Sequence, residues 1–85
     1  MEIQAAAISL QGAQFVVAIV GMDLVNDPGE ADMAIDTLQG KFGGASVVLM
    51  AQTENGSPRY YGDQDLVKSL RDLPLDDMPW QSYSV

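Results

Sequence analysis

A run of twenty uncharged residues near the start of the chain, Ile3 to Met22, most constrains how this sequence can fold. Within it, two mostly apolar segments, Ala5 to Leu10 and Phe15 to Val20, flank the turn-prone residues Gln11-Gly12-Ala13. The second segment is rich in β-branched and aromatic residues, which favour strands. The pattern predicts a buried β-hairpin whose second strand is central in a sheet and covered on both faces.

The same run does not have the pattern of a signal peptide or a membrane span. Glu2 lies where a signal peptide would carry a basic residue. Polar side chains also interrupt the apolar segments at short intervals, which a hydrocarbon core does not tolerate. They are Gln4, Ser9, Gln11 and Gln14. With no export signal recognised, we expect a cytoplasmic protein.

A helix is predicted to begin at Asn26 or Asp27, because either side chain can cap a helix and Pro28 suits its first position. Apolar residues then recur at spacings of three and four, as on the buried face of a helix. They are Ala31, Ala34, Ile35, Leu38 and Phe42.

Glycines mark the end of this helix. Gly43 or Gly44 can adopt positive φ and stop it. Gly40 lies within the last turn at a cost of about 1 kcal/mol relative to alanine, so either the helix ends earlier or another segment packs closely there. Lys41 among these glycines does not indicate a phosphate loop, because such a loop precedes a helix.

A second hairpin is predicted around Asn55-Gly56, the residue pair typical of a two-residue type I′ turn. Its first strand is Ser46 to Gln52. Counting outward from a two-residue turn pairs Gln52 with Arg59, Ala51 with Tyr60 and Met50 with Tyr61. Pro58 cannot donate to a ladder, so the strand from Pro58 to Tyr61 is predicted to lie at a sheet edge.

A second helix is predicted from Asp63, as its cap, to Asp72 or Leu73, with an apolar face made by Leu66, Val67, Leu70 and Leu73. Two prolines then prevent it from continuing. We expect residues 74–85 to dock, either as a short strand from Gln81 to Val85 or as an extended tail with Trp80 at the end of the core.

These elements predict a single small α/β domain of the α+β type spanning residues 1–85. Its element order is ββαββα with a C-terminal fifth strand as a further option, and its mixed sheet packs on two helices. Helices on one sheet face would leave the other face apolar and favour a homodimer. Helices on opposite faces would allow a monomer.

Composition removes several classes of function. The 85 residues include no histidine and no cysteine, so zinc sites, thiol chemistry and the Ser-His-Asp triad cannot be assembled. We predict no cofactor. Four basic and twelve acidic residues give a formal net charge of −8, which disfavours nucleic acid and anionic membranes as partners.

Acidic residues around the predicted strand-to-helix loop, residues 23–32, are weak candidates for a divalent-cation site. They are Asp23, Asp27, Glu30 and Asp32. Their oxygens suit Ca²⁺ or Mg²⁺, but the spacing does not match an EF-hand loop. Helix capping explains most of them equally well. Paired carboxylates could also serve a very small enzyme, although the sequence places no two acids in a cleft.

The function that we predict is non-enzymatic binding of a protein partner. An edge strand carrying Arg59, Tyr60 and Tyr61 provides residue types common at interfaces. On a two-sided strand, one tyrosine should face the core and the other outward. An acidic helix face with Asp32 and Asp36 is the other candidate surface. These tyrosines could equally be ordinary core and rim residues.

Overall fold

The computed structural model describes residues 2–10, 12–54, 56–70 and 78–84. It has the predicted fold class, a mixed five-stranded sheet with helices, in the strand order β4-β3-β2-β1-β5. The strands are β1 (Glu2–Leu10), β2 (Ala13–Ile19), β3 (Ser46–Gln52), β4 (Pro58–Tyr61) and β5 (Trp80–Ser84). The helices are α1 (Met22–Val25), α2 (Pro28–Lys41) and α3 (Gln64–Leu70).

The uncharged run forms the predicted hairpin. β1 and β2 pair antiparallel, from Ala5 opposite Ala18 to Leu10 opposite Ala13. β2 is the middle strand of the sheet. Its residues Phe15 and Val17 are buried in one apolar cluster, whereas Val16 and Ala18 are buried in another on the opposite face. The prediction of a central strand covered on both faces is confirmed.

The connection from β2 to β3 is a crossover, since these two strands run parallel, with Val17 opposite Val48. It contains α1, a single turn that was not predicted from the sequence, followed by α2. Asp27 caps α2: one carboxylate oxygen accepts a hydrogen bond from the Glu30 amide at 3.3 Å, and Pro28 occupies the first position. The predicted helix start is confirmed.

The end of α2 is also where the glycines predicted it, since both Gly43 and Gly44 have positive φ. The Gly44 amide donates to the Gln39 carbonyl at 2.7 Å, the closing bond of a Schellman motif. Both explanations offered for Gly40 are wrong. The helix continues to Lys41, and a Cβ atom on Gly40 would have no neighbour within 4 Å among the described residues.

The β3–β4 hairpin has a register one residue away from the prediction. Met50 lies opposite Tyr60 and Ala51 opposite Arg59. The Gly56 amide donates to the Thr53 carbonyl, and the Thr53 amide donates to the Ser57 carbonyl, both at 2.9 Å. The loop between Thr53 and Ser57 thus has three residues and not two, with Gly56 at a φ of 84°. A three-residue loop with a left-handed last residue is the next most common hairpin connection. Asn55 itself lies outside the described residues.

The helices lie on opposite faces of the sheet. Val25 of α1 and Ala31 and Leu38 of α2 are buried with Leu49 on one face. Leu70 of α3 is buried with Met50 on the other, and Leu66 and Val67 pack there too. The predicted start of the second helix, which is α3 in the structure, is confirmed, because the Asp63 carboxylate accepts a hydrogen bond from the Asp65 amide at 2.9 Å. Its predicted end, at Asp72 or Leu73, lies outside the described residues.

Of the two options for the C-terminal segment, the strand is confirmed, although it spans Trp80–Ser84; residues 74–77 and Val85 lie outside the described residues. β5 pairs antiparallel with β1, with Ile3 opposite Tyr83 and Ala6 opposite Trp80. Tyr83 packs edge-on against Phe42, just after α2, with ring centroids 5.0 Å apart. β5 and β4 therefore form the two edges of the sheet.

Candidate functional site

The two predicted partner surfaces meet in the structure. Tyr61, at the end of edge strand β4, donates its hydroxyl to the Asp32 carboxylate of α2 at 3.0 Å. The same hydroxyl lies 3.5 Å from the Pro28 carbonyl at the start of the helix. This contact ties the edge of the sheet to the first half of α2.

The hairpin register sets this geometry. Tyr61 lies opposite Leu49, so its side chain points to the face that α2 covers, and it packs against the apolar cluster there. Tyr60 lies opposite Met50 and packs against the cluster beneath α3. The expectation that one of the two tyrosines faces outward is therefore wrong. Both are half-buried, on opposite faces of the edge strand.

The charged members of the two surfaces remain exposed. Arg59 lies opposite Ala51 and shares its face with Tyr61, two residues away. Asp32 and Asp36 are exposed on α2 one turn apart, which is the spacing of neighbours on a helix surface. We call the five residues together the β4–α2 surface: Asp32, Asp36, Arg59, Tyr60 and Tyr61.

A cleft of about 370 Å³ opens beside the contact between Tyr61 and Asp32. It runs around the β4 edge, from α2 on one face to the start of α3 on the other. Its lining residues include Asp32, Ile35 and Gln39 of α2, Tyr60 and Tyr61 of β4, and Asp63, Gln64 and Leu66 at the α3 start. Arg59 and Asp36 are not among them. Asp63, which the sequence indicated only as a helix cap, is therefore also a cleft residue.

Both tyrosine hydroxyls have a raised pKa, for different reasons. For Tyr61 the main cause is the hydrogen bond to Asp32, followed by desolvation and by the negative charge of that carboxylate. Burial alone raises the pKa of Tyr60. The hydroxyl of Tyr61 is thus held in its protonated, donating form by its partner on α2.

The four weak candidates for a cation site have different surroundings. Asp27 caps α2 and Asp32 accepts from Tyr61, while Glu30 lies in the first turn of α2 and Asp23 in α1. Within residues 2–10, 12–54, 56–70 and 78–84, no group of three or more His, Cys, Asp or Glu residues could hold a metal ion. The structure does not bring these four together as a ligand set.

A second groove, of about 380 Å³, lies on the other side of α2. Aliphatic side chains form most of it, including Ile3, Val20, Leu24 and Leu38. Met33 beside them is 67% exposed, the only large apolar side chain so exposed in the described part of the chain. This groove was not predictable from the sequence, because it depends on how α2 lies over β1 and β2.

Comparison with known proteins gives no relative for this chain: no family model matches it, and neither the curated proteins nor the solved structures contain a match. In the described part of the chain, no helix is long and apolar enough to cross a membrane. Function must therefore be argued from the site itself.

Proposed function

We propose that the protein is a non-enzymatic interaction module that binds a protein partner through the β4–α2 surface. The observation that carries this proposal is the hydrogen bond between Tyr61 and Asp32, 3.0 Å long. It joins an edge strand and an acidic helix face, which the sequence offered as separate candidates, into one continuous surface. The existence of a protein partner and the cytoplasmic location remain predictions.

The composition of this surface supports the proposal. Tyrosine and arginine are enriched among the residues that carry most of the binding energy of interfaces. Two half-buried tyrosines, held by packing on both sides of β4, lose little conformational freedom on binding. Arg59 on β4 and Asp32 and Asp36 on α2 add exposed charges that can select a partner of complementary pattern.

The mode of binding that fits this edge is contact through side chains. β4 has only four residues and begins with Pro58. Short edge strands and prolines at the edge limit the addition of another strand. A partner therefore gains more binding free energy from contacts with the tyrosines and charges of the β4–α2 surface than from pairing with the backbone of β4.

A small enzyme is the alternative that the cleft itself raises, because the carboxylates of Asp32 and Asp63 both line it. General acid catalysis by a carboxylic acid favours a desolvated group. Both of these residues are exposed, and each already accepts a hydrogen bond. The geometry therefore favours binding over acid–base chemistry.

The test is affinity capture from a lysate of the source organism, with retained proteins quantified by mass spectrometry. Separate baits carry Arg59→Glu and Tyr61→Ala. Lys68→Glu is the matched control, because it reverses one exposed positive charge on α3, outside the β4–α2 surface. Circular dichroism verifies that each bait is folded.

We expect a protein that the wild type and Lys68→Glu baits retain and that the other two lose. Equal retention by all four baits would contradict the proposed surface. Loss from the Lys68→Glu bait as well would indicate a general effect of charge.

A further inference from the structure

The cleft beside Tyr61 has the dimensions of a site for one side chain. Its volume of about 370 Å³ lies at the lower end of the range for ligand sites, about 300–1,000 Å³. Four elements form its walls: α2, the start of β3, the end of β4 and the start of α3. It is too small for a helix or strand of a partner but large enough for a long side chain to enter.

The charges in its lining have one sign. Asp32 and Asp63 line the cleft, whereas no Lys or Arg of the described residues does. Each carboxylate has one oxygen engaged, with the Tyr61 hydroxyl and the Asp65 amide respectively. Their remaining acceptor capacity, and the amide oxygens of Gln39 and Gln64, suit a ligand that carries only donors and a positive charge.

The other walls suit a long organic cation better than a metal ion. Ile35 and Leu66 are apolar, and Tyr60 and Tyr61 are aromatic. Ca²⁺ needs six to eight oxygen ligands, which such walls do not supply. An arginine side chain has an apolar stem and a planar guanidinium that pairs with carboxylates and stacks on aromatic rings.

We propose that this cleft binds the guanidinium group of an arginine side chain. The inference rests on the proposed function, because the partner would supply that arginine. Ile35 and Leu66 contact its stem, the tyrosines lie beside the guanidinium, and Asp32 and Asp63 accept its N–H donors. The partner surface facing α2 then carries an exposed arginine, in keeping with the net charge of −8 on this chain.

The experiment is an NMR titration of the folded ¹⁵N-labelled protein with N-acetyl-arginine amide. N-acetyl-citrulline amide is the control, since it has nearly the same shape without the charge. We expect saturable shifts with the arginine compound at the amides around the cleft, Tyr61 to Gln64, and much smaller shifts with the citrulline compound.

Two double variants test the carboxylates. Asp32→Asn with Asp63→Asn removes both charges but keeps an acceptor for Tyr61 and a good helix cap. We expect at least about tenfold weaker binding of the arginine compound, because charge-assisted hydrogen bonds become neutral ones. Glu2→Gln with Asp23→Asn makes the same change in net charge at two exposed residues outside both the cleft and the β4–α2 surface, and should leave the affinity unchanged.

Three results would overturn the inference: no shifts up to the solubility limit, equal shifts with citrulline, or equal weakening in both double variants. Its failure is distinguishable from failure of the proposed function. A partner captured through Arg59 and Tyr61 without arginine binding would leave the interaction module intact and refute the arginine site alone. Arginine binding without any captured partner would support the cleft and count against the proposed function.

Discussion

The Tyr61 hydroxyl donates to the Asp32 carboxylate across 29 residues of sequence, at 3.0 Å. This contact is the point where the edge strand, α2 and the cleft meet. It exists because Tyr61 lies on the same sheet face as α2, opposite Leu49. The most direct prediction therefore concerns the proton on that hydroxyl.

Replacing Asp32 with alanine should lower the pKa of Tyr61 toward the ordinary tyrosine value of 10.0. The variant removes the hydrogen bond, which is the main cause of the raised pKa, and the nearby negative charge. Site-resolved ¹³C NMR of the tyrosine rings during an alkaline titration measures the pKa of Tyr61. Asp36→Ala is the matched control on the same helix, and equal effects of the two variants would show that the contact is not responsible.

The sign of the linked stability change follows from the raised pKa. Below pH 10, Tyr61 is protonated in both the folded and the unfolded chain, so its contribution to the free energy of unfolding is fully present. As pH rises from 10 through the raised pKa that Tyr61 has in the folded protein, Tyr61 ionises first in the unfolded chain. This contribution to stability is therefore lost. Wild-type protein should therefore lose more stability than Asp32→Ala over that range, as measured by urea unfolding.

Gly40 gives a prediction on stability alone. It is an exposed residue inside α2, and in the described part of the chain a Cβ atom there would meet nothing within 4 Å. Gly40→Ala should stabilise the protein by about 1 kcal/mol, the difference in helix propensity between the two residues. Gly44→Ala is the contrasting variant: at a φ of 87° it should destabilise the fold.

Urea or thermal unfolding of the two variants measures this difference. If Gly40→Ala were destabilising, α2 would have to end before Gly40 or to be covered there by another segment.

Elements marked by local chemistry were predictable from the sequence. The Asp27-Pro28 start of α2, the limits of β4 and the burial of β2 each depend on a few adjacent residues. The site that Tyr61 of β4 and Asp32 of α2 form together was not predictable from the sequence. A loop one residue longer than expected shifted the β3–β4 register, and a shift of one residue exchanges the faces of a strand. It moved Tyr61 from the predicted face of Met50 to that of Leu49, beneath α2.

The N-cap of α2 supports the next prediction. Asp27→Ala removes the acceptor for the Glu30 amide, which lies 3.3 Å from it. The loss of such a cap costs about 1 kcal/mol. Because Pro28 and Asp32 lie in the first turns of the same helix, the contact with Tyr61 should loosen as well.

Chemical denaturation measures the first effect, and amide hydrogen exchange in the first turn of α2 measures the second. Asp27→Ser retains a capping oxygen and should remain close to wild type. Equal destabilisation by serine and alanine would argue against the cap.

The final prediction is that the protein is a monomer in solution. Its sheet has helices on both faces, α1 and α2 on one and α3 on the other, and large side chains are buried on each. A second copy is therefore not needed to cover an apolar sheet face, and a net charge of −8 per chain opposes self-association. Sedimentation equilibrium at physiological salt should give a mass near 9.1 kDa. A mass twice as large would contradict this, and the β5 edge would be the first surface to test. Ser82 is exposed on β5, and Ser82→Lys would add a charge that limits strand pairing at that edge, so restoration of the monomer by this variant would locate the contact there.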